Sequence, residues 1–292
     1  MNYALEFLKQ QQAIIEQNSE PMEAIEVAQS KIPYRDGLAI TIKPNDASSR
    51  MRIGHDERFN VGDFTVEGFV QLRSIYDSGT VRTIVSKWSG NGAKAGWGFG
   101  VTGKGSRRKP QTLVLQMHGK KKDGSFGEAA IFSDQNVALN TPYYVAAAVK
   151  LAGEGPGSVT FYLKDLSNDD EPMQSVTVEH SIVGGLECSE PFTIGGRGGD
   201  NEGLFDGLID DVRYSRGVLS EGEVLFTSES VLNSTIGYWR FEPQPGVMED
   251  SGPNEMDAEL ATPKKEKLDP RFAAFRDLCH TLLNSNEFLY VR

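Results

Sequence analysis

The chain is poor in the residues that most often announce a chemistry. Only two cysteines occur in 292 residues, Cys188 and Cys279, so neither a disulfide framework nor a C-x-x-C metal site can be written. Cys279–His280 has the ending of a haem-attachment motif, but position 276 is Arg276. A thiol packed beside Phe275 and Leu282 on a helix is the simpler reading, and no haem is expected in this chain. There are four histidines; His55, His118 and His180 stand alone on separate strands or turns, without the spacing zinc requires. No apolar run approaches membrane-spanning length. The amino terminus, "MNYALEFLKQQQAIIEQ", lacks the basic start and apolar stretch of an export signal. Positive charge is also scarce, with 30 Lys and Arg against 41 Asp and Glu and a net charge of −11. General affinity for nucleic acid or an anionic membrane is thereby excluded. Two basic runs depart from this balance, Arg107–Arg108–Lys109 and Lys120–Lys121–Lys122. Each lies beside glycines between strand-like segments and reads as an exposed hairpin turn.

Turn residues and short alternating segments are abundant. The 31 glycines and 13 prolines punctuate about a dozen strand-like stretches from residue 37 onward, among them "FTVEGFVQL", "VRTIVSKW", "GWGFGV", "TLVLQM", "YYVAAAV" and "GLIDDVRYS". In "GLIDDVRYS" the period of two turns Leu208 and Ile209 to opposite faces. With no helices between the strands, the class is a sandwich or barrel. Helical spacing is confined to the ends. At the amino end Leu5, Leu8 and Ile15 share a stripe, and "EPMEAIEVAQSK" continues as a second short helix. After residue 268, Asp269 can cap a helix with Pro270 in its first turn.

The order of "FNVGDFTVEGFVQL" (59–72), "TIVSKWSGNGAKAGWGFGV" (83–101), "YYVAAAV" (143–149) and "FDGLIDDVRYSRGVLSEGEV" (205–224) resembles that of laminin-G-like, concanavalin A-like jelly rolls. The resemblance covers roughly residues 37–260. It implies an all-β fold, a jelly-roll β-sandwich of two antiparallel sheets flanked by short terminal helices. It also implies a glycan- or protein-binding role and, often, a structural calcium ion. A second resemblance lies at the ends: "YALEFLKQQQAIIEQ" and "DLCHTLLNSNEFLYVR" are similar to the carboxy-terminal helical part of an uncharacterised planctomycete-type family whose members often carry a cytochrome-c-like module. Together the two imply a sandwich at 37–262, inserted between a helical segment at 1–36 and a helix at 263–292 of one host domain. An extracytoplasmic location of the larger parent protein follows from the same resemblance.

"IGYWRFEPQPGVMEDSGPNEMDAEL" (236–260) adds a question of organisation. In modules of this type a similar stretch comes first in the chain, yet here it follows "IDDVRYS". Too few residues remain after Leu260 for a second sandwich. The segment is therefore expected to complete the first one as a displaced strand, in a circularly permuted arrangement, with Asp250 near Asp210. Those two are the calcium candidates. Asp210 matches a position that often supplies a calcium carboxylate in the superfamily, and Asp250 is its natural partner; the competing reading is that one flanks a strand and the other initiates a turn.

For a ligand, the best loops are "SGNGAKAGW" and "GGRGGDNEG", because loops on a rigid sandwich commonly carry recognition. They offer Trp88, Asn91, Trp97, Arg197, Asp200 and Asn201, with Trp88 and Trp97 able to stack on sugar rings if they sit at one rim. Ordinary core packing competes for Trp97 and more strongly for Trp239. Glycosidase chemistry needs two carboxylates facing one bond, and the one-strand E-x-D-x-(x)-E spacing of related laminarinases does not occur. "GGRGGDNEG" precedes a strand, whereas a phosphate cradle opens a helix. The expectation is thus a module without catalysis, with no catalytic residues and no cofactor beyond structural calcium, recognising a polysaccharide. The alternatives are a structural or docking module packed on neighbouring domains of the parent, and a glycoside hydrolase of the same fold.

Overall fold

The computed structural model describes residues 27–199, 203–244 and 246–261. Of the terminal helices expected within 1–36 and after 268, residues 1–26 and those from 262 on, with Cys279, lie outside the described residues, as do Asp200 and Asn201; the second helix expected over "EPMEAIEVAQSK" is corrected at its end, where Gln29–Ser30 is a strand. The chain divides into two units, and the one described here is Val27–Ala261.

This unit is built from sixteen strands: β1 (Gln29–Ser30), β2 (Ala39–Ile42), β3 (Met51–Ile53), β4 (Phe64–Leu72), β5 (Arg82–Lys87), β6 (Gly96–Val101), β7 (Thr112–Lys121), β8 (Phe126–Asn136), β9 (Pro142–Lys150), β10 (Gly157–Asp165), β11 (Gln174–His180), β12 (Ile182–Gly184), β13 (Phe192–Ile194), β14 (Gly207–Arg216), β15 (Thr235–Trp239) and β16 (Glu259–Leu260). They form two antiparallel sheets of eight strands. The first runs β1-β2-β14-β4-β9-β10-β11, with β15 also on β14. The second runs β12-β7-β6-β5-β13-β3-β16, with β8 also on β7. Because β1 pairs with β2 and Ile32 is buried in the first sheet's outer cluster, the sandwich starts before residue 37.

Between the sheets lies the core. Period-two alternation sends Ile40, Val66, Val145, Phe161 and Ile209 inward from the first sheet, and Met51, Val85, Phe99 and Leu115 inward from the second,. At its centre Phe192 packs on Phe59 (5.0 Å), Trp239 (5.1 Å) and Tyr214 (5.2 Å). Such aromatic contacts add to what area burial alone supplies.

The 236–260 segment completes this sandwich as expected. β15 pairs with β14 from Val212 to Ser215, directly beyond the stretch Gly207–Ile209 that pairs with β2. Phe241 and Glu242 then reach the amino-terminal strands: Gln29 Nε2 donates to the Phe241 carbonyl (2.6 Å), and the Leu38 amide donates to Glu242 (3.0 Å). Where β2 and β15 meet along β14, the register against β4 shifts between Asp210 and Arg213. Asp211 takes a φ of +46° at this bulge, a strained backbone for a residue with a Cβ.

The two outer faces differ. That of the first sheet is roofed by the segment between β14 and β15, whose Leu219, Val224 and Leu225 pack on Phe69, Tyr144 and Leu208. Strands β4 and β14 are consequently buried on both faces. In the second sheet β5 and β6 are also buried throughout, and exposed positions gather along β8.

Candidate functional site

The two loops singled out by sequence do meet at one margin of the second sheet. The Gly198 amide donates to the Trp88 carbonyl (2.9 Å), and the Trp88 indole N–H donates to the Asn91 carbonyl (3.0 Å). Trp88 lies on the outer face, but at 3% exposure it is covered. His118 stacks on it at 4.3 Å, and the Arg197 guanidinium lies 5.0 Å from its ring centre. Burial lowers the His118 pKa, with Arg197 adding to the effect, so the ring is neutral near pH 7. Trp88 thus shapes the margin rather than offering a face to a sugar, while Asn91 is exposed on the rim.

Trp97 requires a correction. On β6 the glycines Gly96, Gly98 and Gly100 face outward, so Trp97, Phe99 and Val101 must face the core. Trp97 is 2% exposed and stacks on Phe64 at 4.7 Å and on Tyr214 at 5.6 Å. It cannot reach a ligand. Trp239 is likewise in the core, as its competing reading had it.

Arg197 leads from this margin to an open cleft. Its Nη2 donates to Gln116 Oε1 (3.2 Å), and its carbonyl accepts from Arg50. Gln116 faces outward on β7, opposite Gly98 of β6. A Cβ added to Gly98 would lie 3.6 Å from Ser86 and 3.8 Å from Trp88, so the glycine leaves a shallow floor at ordinary contact distance from its neighbours. Beyond Gln116 the cleft runs over β8. One part, of about 260 Å³, is lined by Arg107, Arg108, Glu128, Ala130 and Phe132. A contiguous part of about 130 Å³ reaches back to Val114 and Gln116. Arg107 Nη2 stands 3.6 Å from Glu128 Oε1. Sequence reading missed Gln116, Glu128 and Phe132. Alternation along β7 does turn Gln116 outward, and the hairpin through Asp123–Gly124 brings Glu128 opposite His118,; what carries no local signal is the placing of the Arg107–Arg108 turn against β8.

On the roofed side, two carboxylates were candidates for calcium. Asp210 Oδ2 accepts from Arg35 Nε (2.7 Å), and Arg35 also pairs with Asp211 and Glu229. Burial raises the Asp210 pKa to about 6 in spite of Arg35. Asp250 spends both oxygens on backbone N–H groups: Oδ1 accepts from Tyr238 (2.8 Å) and Gly252 (2.7 Å), and Oδ2 from Met256 (3.0 Å). The two carboxylates thus have separate partners. Among the described residues no group of three or more His, Cys, Asp or Glu side chains is placed to hold a metal ion. A cation needing six to eight oxygens finds an arginine at one carboxylate and amide donors at the other, so this pair does not fit calcium.

Two packed antiparallel sheets of eight strands are the architecture of a jelly-roll β-sandwich. The chain belongs to the concanavalin A-like lectin/glucanases superfamily as Laminin_G_3, matched over residues 45–225. No curated protein matches it in sequence. Among solved structures, the full-length tailspike protein 2 from Escherichia coli O157:H7 bacteriophage CAB120 is similar, with a TM-score of 0.53 and 11% identity over 74% of this chain. The enzymatically active domain of a bacteriophage CBA120 tailspike protein 2 follows at 0.51 and 13%, also over 74%. The match spans 28% and 32% of those two chains. The Ruminococcus gnavus IT-sialidase CBM40 bound to α2,3-sialyllactose has a TM-score of 0.42 and 13% identity over 69% of this chain and 97% of its own. At these identities the likeness is one of fold. Among the described residues, no helix is long and apolar enough to cross a membrane.

Proposed function

We propose that this domain is a non-catalytic glycan-binding module whose ligand lies along the cleft over β7 and β8, between Gln116 and the turn that bears Arg107 and Arg108. The observation that carries this reading is the cleft over β8, where Gln116, Glu128 and the arginines Arg107 and Arg108 converge. The roofed face holds a pocket of about 360 Å³ beside Phe69 and Glu242 as well, but there Arg35 is already paired with Asp210, Asp211 and Glu229. A docking surface for another protein domain would favour an aliphatic lining; in the cleft over β8, Gln116, Glu128 and two arginines dominate, with Phe132 as the apolar patch.

Catalysis is left out because hydrolysis of a glycosidic bond takes two opposed carboxylates. Glu128 is the one carboxylate lining this cleft among the described residues. Calcium is left out at Asp210 and Asp250 because Arg35 and backbone amides already serve them. A permuted origin of β15, insertion in a larger planctomycete-type parent and an extracytoplasmic location accord with the segment order and with the resemblances of the terminal sequences.

Calorimetric titration against a panel of neutral and acidic oligosaccharides tests the reading. Binding without turnover is expected, unchanged by calcium or chelator, and weakened by Gln116→Ala by about tenfold, the loss of a hydrogen bond at a desolvated site. Product release from any bound glycan, or binding indifferent to Gln116→Ala, would overturn it.

A further inference from the structure

The charge on the cleft is opposite to that of the molecule. With a net charge of −11 over the whole chain, the cleft over β8 is nonetheless walled by two arginines, Arg107 and Arg108, against the single carboxylate of Glu128. Arg107 meets Glu128 only at 3.6 Å, beyond hydrogen-bond length. The Arg108 guanidinium has no ion-pair partner among the described residues.

The arginines stand on a turn that is pinned at several points. Between β6 and β7, Lys104 N donates to the Tyr76 carbonyl (2.8 Å) and Gly105 N to the Ser78 carbonyl (3.1 Å). The ends of the turn are tied by Thr102 N to the Thr112 carbonyl (3.0 Å) and Gln111 N to the Thr102 carbonyl (3.0 Å). A turn held this way has little backbone ordering left to lose on binding. Within the same cleft Gln116 and Glu128 provide the donors and acceptors that hydroxyls need, and Phe132 an apolar patch.

Resting on the glycan-binding reading above, we propose that the cleft selects glycans that carry carboxylate groups, with Arg107 and Arg108 as the specificity-determining residues. The planar fork of a guanidinium matches a carboxylate with two parallel N–H···O bonds, and a neutral glycan would leave both forks without a counter-charge. Gln116 and Glu128 then read the hydroxyls of the same sugar.

The test compares polygalacturonate oligosaccharides with dextran oligosaccharides of equal length, titrated into the full chain and into an R107Q/R108Q double variant at low and raised salt. Both positions are exposed, so the variant should melt with the wild type; a melting scan checks this. The uronate should bind the wild type more tightly than dextran, lose about tenfold or more in affinity in the variant, and weaken with salt. Dextran binding, where measurable, should be the same in both proteins. Uronate binding that ignores the double substitution, or dextran bound as tightly as uronate, overturns the carboxylate selection. In that case a Gly98→Val chain that loses whichever glycan binds leaves the cleft itself standing, whereas silence toward both glycans overturns the two readings together.

Discussion

Arg213 and Glu67 are both fully buried under the roof of the first sheet, with Arg213 Nε 2.8 Å from Glu67 Oε1. The other guanidinium nitrogens donate to the carbonyls of Ser230 and Glu223, while Glu67 Oε2 accepts from the Tyr144 hydroxyl and the Leu225 amide. Burial pushes the Glu67 carboxyl up, against the pull of Arg213 and the other donors. Removing one member leaves a charge without a partner in a dry site. Arg213→Ala is therefore expected to cost about 3–5 kcal/mol in urea unfolding, far more than the loss of an exposed pair such as Lys104–Asp77. A loss below about 1 kcal/mol would show that the roof does not depend on the pair. Asp210 makes a second prediction, in pH. Its folded pKa of about 6 lies above the ordinary 3.8, so the folded chain holds a proton that the unfolded chain has released. Stability falls as pH rises from about 3.8 to about 6, and the penalty persists above that window. In Asp210→Asn this slope disappears. The wild-type urea midpoint should accordingly fall relative to that of the variant as pH climbs through the window, and a wild type that gains on the variant instead would refute the assignment. The sequence marked Asp210 as a carboxylate of interest but could not supply Arg35, which meets it from 175 positions away.

Single strands were the most legible level. Alternation in "GLIDDVRYS" turned Leu208 and Ile209 to opposite faces, and they belong to the outer and the inner cluster respectively. The same rule on "GWGFGV" could have placed Trp97 in the core, since every alternate residue is glycine. The ligand reading came from the two tryptophans facing each other across "SGNGAKAG", one closing a strand and one opening the next; for Trp97 the competing reading of core packing is the one the structure has. What no strand discloses is the loop packed beside it. The cleft exists because the β7–β8 hairpin lies beside the 102–111 turn, and that turn is held in place through the carbonyls of Tyr76 and Ser78, contacts that no strand announces. Gly98 tests the cleft as a surface. Its added Cβ would meet Ser86 and Trp88 at 3.6 and 3.8 Å, so Gly98→Val should alter stability by no more than about 1 kcal/mol, within the span of β-propensity effects. The new side chain would nevertheless rise from the floor beside Gln116. Glycan affinity should fall about tenfold or more while the melting temperature barely moves, and an unchanged affinity would put the ligand elsewhere.

For the whole molecule, the sequence supplied the sandwich but left its closure to be inferred. The 236–260 segment finishes the sandwich that precedes it in the chain. It does so in both sheets at once: β15 pairs with β14 in one, and β16 pairs with β3 in the other. Between these strands Trp239 sits in the core and donates its indole N–H to the Met256 carbonyl (2.8 Å). The last described strands thus join layers whose other members are distant in the chain, so cutting them away opens the core from both sides. The tryptophan alone accounts for about 3–5 kcal/mol on truncation to alanine, a large share of the 5–15 kcal/mol that typically holds a domain together. A chain ended after Ser234 loses this tryptophan together with Phe241, the Asp250 turn and two strand pairings. It should give no cooperative melting transition and should bind a dye that reports exposed apolar surface, whereas Trp239→Ala in the full chain should still fold, with a urea midpoint well below that of the wild type. If the shortened chain instead melts cooperatively near the wild-type temperature, the segment is an appendage and the domain is complete without it.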